Sequence, residues 1–277
     1  MLTKDKIVFV GAGSMAEAMI AGLLSNKIVN PNQIWVTNHS NNARLTELNE
    51  RYGVQTTRDY HKLFEASTVV ILAMKPKDVE ASLNTITPFM SEEQLIVSVI
   101  AGVSLTFIEK AFKRSIPVVR AMPNTSATVM QSATAITAGT FCDKKHIDKA
   151  TAFLSSIGSV TFVQDEYDMH AVTAVSGSGP AYVYYLAEAL QESATTQGLS
   201  EQMAKELVIQ TFAGAENILQ SQNDKPKKLR LAVMSPGGTT EAGIRALEER
   251  QFKDAVNACV KAATTRSQQL ESMYRNE

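Results

Sequence analysis

The sequence predicts an α/β protein in which a doubly wound parallel sheet is followed by an all-helical domain. Short apolar runs rich in β-branched residues alternate with helical patterns in the first half of the chain, and strands spaced by helices favour a parallel sheet. Residues 68–73 form an apolar run of the kind that a sheet buries on both faces. After about Gln164 no convincing strand pattern follows. We therefore predict two domains, at residues 1–164 and 165–277.

The elements of the first domain follow from these runs in chain order. The first strand leads into a glycine-rich turn and a helix that continues to Leu24. Pro76 opens the helix after the third strand, because its fixed φ suits a first helical position. The predicted strands are residues 7–10, 33–37, 68–73, 95–100, 117–121, 133–137 and 160–163. The later predicted helices are residues 42–52, 77–86, 107–112 and 145–157.

The second domain is predicted from helix start and stop signals. A short helix is broken by the stretch SGSGP at residues 176–180, and Pro180 then begins a long helix. Gly198 stops that helix, and Ser200 caps the next one. The predicted helices are residues 167–175, 180–197, 200–220 and 252–274, with a polar loop that contains a proline at residues 223–228.

Composition and charge exclude several classes of function. The chain has 277 residues, 44% hydrophobic and 20% charged, with a net charge of −1, which describes a globular protein without a basic surface for nucleic acid or an anionic membrane. Its apolar runs are too short to span a bilayer, and no signal-peptide pattern precedes the first strand. Cys142, Cys259 and the histidines show no metal spacing. We expect a cytoplasmic protein with reduced thiols and no metal.

The glycine-rich turn after the first strand predicts a dinucleotide site. Residues 11–16 read GAGSMA, which fits G-x-G-x-x-G/A between a strand and a helix, the context that confirms a Rossmann-type loop. Gly11 allows the tight turn, Gly13 lets a pyrophosphate approach the backbone, and Ala16 allows close packing of helix on strand. The phosphates would lie at the helix N-terminus. The cofactor-binding residues predicted in this loop are Gly11, Ala12, Gly13, Ser14 and Met15.

The end of the second strand favours NADP(H) over NAD(H). An NAD site usually has a carboxylate there for the ribose 2′-hydroxyl, and this chain has none. Asn38 and Ser40 could donate hydrogen bonds to a 2′-phosphate, and Arg44 lies one helical turn on. A plain solvated helix residue is the alternative interpretation of Arg44.

Other strand ends should border the cofactor, because ligands bind at the carboxyl edge of such sheets. Lys75 could be a catalytic amine, could contact the cofactor ribose, or could be a solvated loop residue. The further candidates at this edge are Ala73, Pro76, Ala101 and Asn124.

The stretch SPGGTT at residues 235–240 predicts a second anion site. It is a glycine-rich turn that runs into a helical pattern beginning near Glu241, and a helix start exposes unpaired N–H groups at the positive end of the dipole. Adjacent glycines allow a ligand close to the backbone, and threonine hydroxyls both donate and accept. The candidate residues are Ser235, Gly237, Gly238, Thr239 and Thr240. A surface turn with a helix cap is the alternative.

The motifs GAGSMA, AMKP, AMPNT, GSGPAY and SPGGTT, in this order, resemble the pyrroline-5-carboxylate reductase family over essentially the whole chain. The resemblance implies reduction of 1-pyrroline-5-carboxylate to L-proline by NAD(P)H, the last step of proline synthesis, in the cytoplasm. It implies a homodimer built from the helical domains, which often assembles further into a decamer. It also implies that Thr240 hydrogen-bonds the imine nitrogen and that Gly179 lies against the nicotinamide.

Three positions depart from the family pattern, and two other functions stay open. Met234, Ser126 and Tyr60 stand where relatives usually carry a small residue, a proline and an asparagine. A non-catalytic NADP-binding sensor would keep the cofactor loop without turnover. A β-hydroxyacid dehydrogenase or an imine reductase relative would also join a Rossmann-type domain to a helical domain. The β-hydroxyacid dehydrogenases use a lysine in the interdomain helix, and residues 181–197 contain no lysine.

Overall fold

The computed structural model describes residues 5–274, which group by their contacts into two compact units. The first unit combines Met1–Ser178 with Ala263–Glu277, and the second is Gly179–Ala262. This division follows contacts alone. The predicted domain boundary at residues 164 and 165 therefore stays a prediction.

The first unit is built on a sheet of eight strands within the described residues. The strands are β1 (Ile7–Val10), β2 (Ile34–Thr37), β3 (Gln55–Thr56), β4 (Val69–Leu72), β5 (Leu95–Ser98), β6 (Val118–Met122), β7 (Ser132–Ala138) and β8 (Gly158–Phe162). Their spatial order is β3-β2-β1-β4-β5-β6-β7-β8. Strand β1 pairs in parallel with both β2 and β4. The chain therefore adds strands first on one side of β1 and then on the other, which confirms the doubly wound fold.

Seven helices accompany these strands in the described part of the first unit. They are α1 (Ser14–Ser25), α2 (Asn42–Tyr52), α3 (Tyr60–Phe64), α4 (Val79–Ile86), α5 (Leu105–Phe112), α6 (Lys144–Leu154) and α7 (Met169–Val172). Side-chain caps begin several of them: the Asn41 side chain accepts from the Arg44 N–H at α2, and the Ser104 side chain accepts from the Phe107 N–H at α5.

Both faces of the sheet are covered, as the apolar runs predict. Ile7 and Phe9 of β1 belong to one apolar core, whereas Val8 and Val10 belong to a second core. Successive side chains of a strand point to opposite faces, so β1 anchors both layers. Full burial of a side chain such as Phe9 contributes about 1.5–3 kcal/mol. The buried centre of the sheet thus holds the carboxyl ends of β1, β2 and β4 at one edge.

Two details of the first-half prediction are wrong. The sheet is not parallel throughout, because β7 runs antiparallel to β6, with Val119 opposite Ala138. Strand β3 and helix α3 lie where no element was predicted, since two and five residues are too short for a periodic pattern.

The helix predicted at residues 167–175 is present, but its second part differs from an α-helix. Helix α7 continues as a π-helix over Thr173–Gly177.

The second unit is helical, as predicted. Its helices are α8 (Gly179–Thr196), α9 (Glu201–Ser221), α10 (Pro226–Ala232), α11 (Thr239–Glu249) and the start of α12 (Phe252–Ser272), which continues into the first unit. The Ser200 side chain accepts from the Met203 N–H, which confirms the predicted cap of α9. The predicted loop at residues 223–228 is wrong in part: Pro226 is the first residue of α10, where a proline costs the helix no hydrogen bond.

This unit leaves much of its apolar surface exposed. Among its described residues only Ala204 and Val208 are buried hydrophobics, whereas Tyr185 is 73% exposed and Leu207 is 54% exposed. An exposed apolar surface of this extent is typical of interaction sites. Within residues 5–274, no helix combines the length and apolar character that a bilayer crossing requires.

We expect the Cys142 thiol to react slowly with thiol reagents. It lies half-buried after β7, and burial raises its pKa to about 11 from the ordinary 9.0. At pH 8 about 0.1% of such a thiol is thiolate, against about 10% for an ordinary one, and the thiolate is the nucleophile. In Cys259→Ser, where Cys142 is the sole cysteine, reaction with dithiobis(nitrobenzoate) at pH 8 should be about a hundredfold slower in folded than in unfolded protein. The rate should rise with pH up to about 11; a plateau near pH 9 would contradict the assignment.

Candidate functional site

The glycine loop between β1 and α1 meets the carboxyl ends of the two neighbouring strands. The Gly11 N–H donates to Thr37 O at 2.9 Å, which ties the loop to β2. A Cβ at Gly11 would lie 2.4 Å from Ala73 O, and φ is +115°. Only glycine fits this position, because both the space and the dihedral exclude a side chain.

The start of α1 faces open space. Gly13 is the N-cap residue of α1, and the helix has no side-chain cap. A Cβ placed on Gly13 would meet nothing within 4 Å. The first-turn N–H groups therefore remain available to an anion that approaches the bare backbone, as a dinucleotide pyrophosphate does.

A cavity of about 580 Å³ opens at this edge of the sheet. Its volume lies within the range of small-molecule and cofactor sites. Eight predicted cofactor residues line it: Gly11, Ala12, Gly13, Asn38, Ser40, Arg44, Ala73 and Lys75. Five others do not line it: Ser14, Met15, Pro76, Ala101 and Asn124. Contact with the cofactor stays a prediction for both groups. The cavity thus joins the ends of β1, β2 and β4 into one groove.

Arg44 is engaged by carboxylates. Its guanidinium bonds Glu17 of α1, lies 2.8 Å from Glu47 Oε2, and donates through Nε to Ala12 O at 2.9 Å. Its side chain is only 19% exposed, so a plain solvated role is wrong. The hydrogen bond from Arg44 lowers the pKa of Glu17, and the same bond raises the pKa of Arg44. Arg44 therefore ties α1, the glycine loop and α2 together.

Asn38 is held by a residue that sequence reasoning missed. Its Nδ2 donates to Asn41 O at 2.7 Å, while its Oδ1 accepts from Arg58 Nη2 at 3.0 Å. Arg58 Nε also donates to Asn38 O at 3.1 Å. Arg58 follows β3, whose two residues carry no detectable strand pattern, so no local signal places it beside β2.

Thr37 at the end of β2 is a second missed residue. It is 2% exposed and lines the cavity. Its hydroxyl is the single buried side-chain N or O atom without a hydrogen-bond partner among the residues the structure describes. Because an unpaired buried hydroxyl costs free energy, it points to a ligand group or a water at this place.

The AMPNT strand end contacts the π-helical segment of the first unit. Asn124 is buried, and its Nδ2 donates to Ser176 O at 3.0 Å while its Oδ1 accepts from the Ser126 N–H. A Cβ at Gly177 would lie 2.8 Å from Met122 Cε, so glycine lets Met122 pack there. Two motifs about 50 residues apart in sequence therefore pack together, and the hydrogen bond from Asn124 joins them.

The SPGGTT stretch forms a tight turn into α11. Gly237 has φ +73°, and the Gly238 N–H donates to Ser235 O at 2.9 Å. Gly238 is the N-cap residue, and α11 has no side-chain cap. Thr239 and Thr240 form its exposed first turn. The turn therefore presents a helix start and two hydroxyls, which is the arrangement the sequence predicts.

Glu241 modifies this second anion site. Its Oε2 accepts from the Gly237 N–H at 2.7 Å, across one helical turn. The carboxylate complements the positive end of the helix dipole. An external carboxylate can use the Gly237 N–H only after the Glu241 side chain leaves it. Sequence reasoning named the motif up to Thr240 and missed this neighbour.

Comparisons with known proteins agree over the whole chain. Residues 166–270 match the family described as pyrroline-5-carboxylate reductase dimerisation, and residues 6–102 match NADP oxidoreductase, coenzyme F420-dependent. The chain is 45% identical to pyrroline-5-carboxylate reductase 2 of Bacillus subtilis, over 97% of this chain and 96% of that protein. It is 38% identical to the Synechocystis enzyme of the same family name, over 94% and 96% of the two chains.

Solved structures agree with these relatives. A pyrroline-5-carboxylate reductase from Coxiella burnetii is 35% identical, with a TM-score of 0.91 over 96% of this chain and 98% of that one. The Plasmodium falciparum pyrroline carboxylate reductase, solved with NADP bound, is 26% identical with a TM-score of 0.84 over 96% and 98%. The cofactor loop, the turn into α11 and these full-length similarities together assign the chain: it is an oxidoreductase that belongs to the pyrroline-5-carboxylate reductase family.

Proposed function

We propose that this protein reduces 1-pyrroline-5-carboxylate to L-proline with NADPH, as the last step of proline biosynthesis. The observation that carries the proposal is the pair of helix starts whose N-cap residue is glycine and makes no side-chain cap, one after the Gly11–Gly13 loop and one after the SPGG turn. The first suits a dinucleotide pyrophosphate, and the second suits a small carboxylate with a hydroxyl beside it.

The residues of the first unit fit a dinucleotide. Gly11 cannot carry a side chain, and Gly13 leaves its helix start bare beside the cavity. When bound, the nicotinamide supplies a hydride to the imine carbon of the substrate. The protein must hold that donor and the imine carbon close together, and this positioning supplies most of the rate.

The turn into α11 supports the role of carboxylate holder. The Thr239 N–H and the Ser235 hydroxyl suit an anion, with the Gly237 N–H added once Glu241 is displaced, whereas the Gly238 N–H already donates to Ser235 O. The helix dipole adds about 0.3–1 kcal/mol for a negative charge at such an end.

Thr240 is the proposed partner of the imine nitrogen. Its hydroxyl lies in the exposed first turn of α11, beside the carboxylate-holding N–H groups. A threonine is no strong acid at neutral pH, so it orients the imine and stabilises the proton that the nitrogen gains. Gly179, the first residue of α8, is proposed to lie against the nicotinamide; a Cβ there would meet nothing within 4 Å.

NADPH is the proposed reductant in preference to NADH. The end of β2 reads Thr37-Asn38-His39-Ser40, without a carboxylate to repel a 2′-phosphate. We also propose that the protein acts in the cytoplasm as a homodimer joined through the exposed apolar surface of α8 and α9, and that dimers can assemble into a decamer. The match of residues 166–270 to a dimerisation family supports oligomerisation.

Steady-state oxidation of NADPH, with NADH in parallel, tests the function in purified protein with 1-pyrroline-5-carboxylate. We expect turnover that yields equal amounts of L-proline and oxidised cofactor, faster with NADPH. Tight NADPH binding without turnover would instead identify a sensor, or a reductase for an imine of another size.

A further inference from the structure

We propose that Arg58 makes the cofactor groove select a phosphorylated adenosine ribose, and that Arg44 serves as a structural tie. The inference rests on the proposed use of NADPH and names the residue that sets that preference. It depends on which arginine near the end of β2 has a positive charge that neighbouring carboxylates do not neutralise.

Arg44 offers little net charge to a ligand. Its guanidinium contacts carboxylates of both Glu17 and Glu47, and Glu17 in turn accepts from Arg51 Nη1 at 2.8 Å. Two arginines and two carboxylates form this group, so their formal charges cancel. A phosphate near Arg44 would meet a neutral cluster whose donors are already engaged, including Nε on Ala12 O.

Arg58 differs in its partners. Both of its hydrogen bonds go to oxygens of a neutral residue, Asn38 O and Asn38 Oδ1. Among residues 5–274 no carboxylate lies within ion-pair distance of its guanidinium. The adjacent Asp59 uses Oδ1 to cap α3 through the Lys62 N–H. A guanidinium has five N–H donors, so three remain for a ligand.

Arg58 reaches the cavity through Asn38. It does not itself line the cavity, but both oxygens that it bonds belong to Asn38, which does, as does Tyr60 two residues further along the chain. The unpaired hydroxyl of Thr37, 2% exposed, lines the same part of the wall next to Asn38. A fixed amide and an unused buried hydroxyl thus line the end of the groove where a dinucleotide carries its 2′-substituent, and the full charge of Arg58 lies directly behind that amide.

Binding of two nucleotide fragments tests the assignment without any turnover. Adenosine 2′,5′-bisphosphate and 5′-AMP differ only in the 2′-phosphate, and isothermal titration gives both dissociation constants for each variant. Wild-type protein should prefer the bisphosphate. Arg58→Gln should weaken bisphosphate binding about tenfold to a hundredfold, as expected for one lost charge-assisted contact, and should leave 5′-AMP within about twofold.

Two further variants separate charge from structure. Arg58→Lys keeps the charge but loses the fork, so its preference should fall between those of wild type and Arg58→Gln. Arg114→Gln removes an exposed arginine of the same unit that bonds Met90 O, does not line the cavity and belongs to no ion pair among the described residues, and it should keep the wild-type preference. An unchanged ratio of the two constants in Arg58→Gln would overturn the inference, as would an equal loss in Arg114→Gln or in 5′-AMP binding. Absence of pyrroline-5-carboxylate turnover with this nucleotide pattern intact would overturn the proposed reaction and leave the role of Arg58 standing.

Discussion

Replacing Thr240 with valine is expected to lower kcat about ten- to two-hundred-fold, because one hydrogen bond to a charged group is worth about 1.5–3 kcal/mol in the transition state. Valine keeps the shape of threonine and removes the hydroxyl alone. The residue lies in the exposed first turn of α11, so the change creates no cavity and leaves no buried group unpaired. The affinity for NADPH should not change, since the cofactor groove is lined by residues of the first unit.

Kinetics with 1-pyrroline-5-carboxylate measure this effect, with two controls. Thr240→Ser retains a hydroxyl and should recover most of kcat. Thr196→Val removes an exposed hydroxyl that bonds only Glu192 O of its own helix, and it should leave kcat unchanged. Near-normal kcat in Thr240→Val would remove this hydroxyl from the mechanism.

Replacing Arg120 with methionine is expected to destabilise the protein by about 3–5 kcal/mol, the usual cost of breaking a buried ion pair from one side. Arg120 on β6 is 3% exposed, and its Nη1 lies 2.6 Å from Glu166 Oε1 and 3.0 Å from Glu271 Oε2. Glu271, near the end of α12, is equally buried, and His170 Nε2 lies 3.6 Å from the same Oε2. Without Arg120, the two carboxylates of Glu166 and Glu271 would remain near each other and lose the guanidinium between them.

Thermal denaturation at fixed protein concentration measures this loss. The midpoint should fall by roughly 10 °C, given a few degrees per kcal/mol for a protein of this size. Lys144→Met is the control: its pair with Asp148 is 85% and 61% exposed, and such pairs contribute about 0.2–1 kcal/mol. An Arg120→Met midpoint within about 2 °C of wild type would show that the network does not hold α12 to the sheet.

Local motifs allowed most of the fold and part of the site to be predicted. The predicted strand at residues 68–73 and the predicted helix start at Pro76 depend on patterns of a few residues. The structure has a strand at Val69–Leu72, and Pro76 begins a 3-10 turn over Pro76–Asp78 that leads into α4. Gly11 is recognisable because its position has no room for a side chain. Gly13 is recognisable because it leaves the backbone at the start of α1 bare. By contrast, α3 and β3 are shorter than any periodic pattern and form because neighbouring elements hold them.

Contacts between distant segments could not be predicted. Arg44 lies one helical turn after Ser40 in sequence, which suggested a phosphate ligand, yet Glu17 of α1 holds it. Arg58 lies 20 residues beyond Asn38 and meets it only because β3 places it beside β2. Asn124 and Ser176, and likewise Arg120 and Glu271, meet across still longer separations.

The sheet-and-helix architecture, the two glycine-rich helix starts and the family follow from local properties of the chain, because each depends on backbone conformations and apolar periods. Which charges are cancelled and which remain available depends on how distant segments pack. Electrostatic partners are chosen by distance in space, and the packing of α1, α2 and the strand ends gives Arg44 two carboxylates while it leaves Arg58 on neutral oxygens beside the cavity.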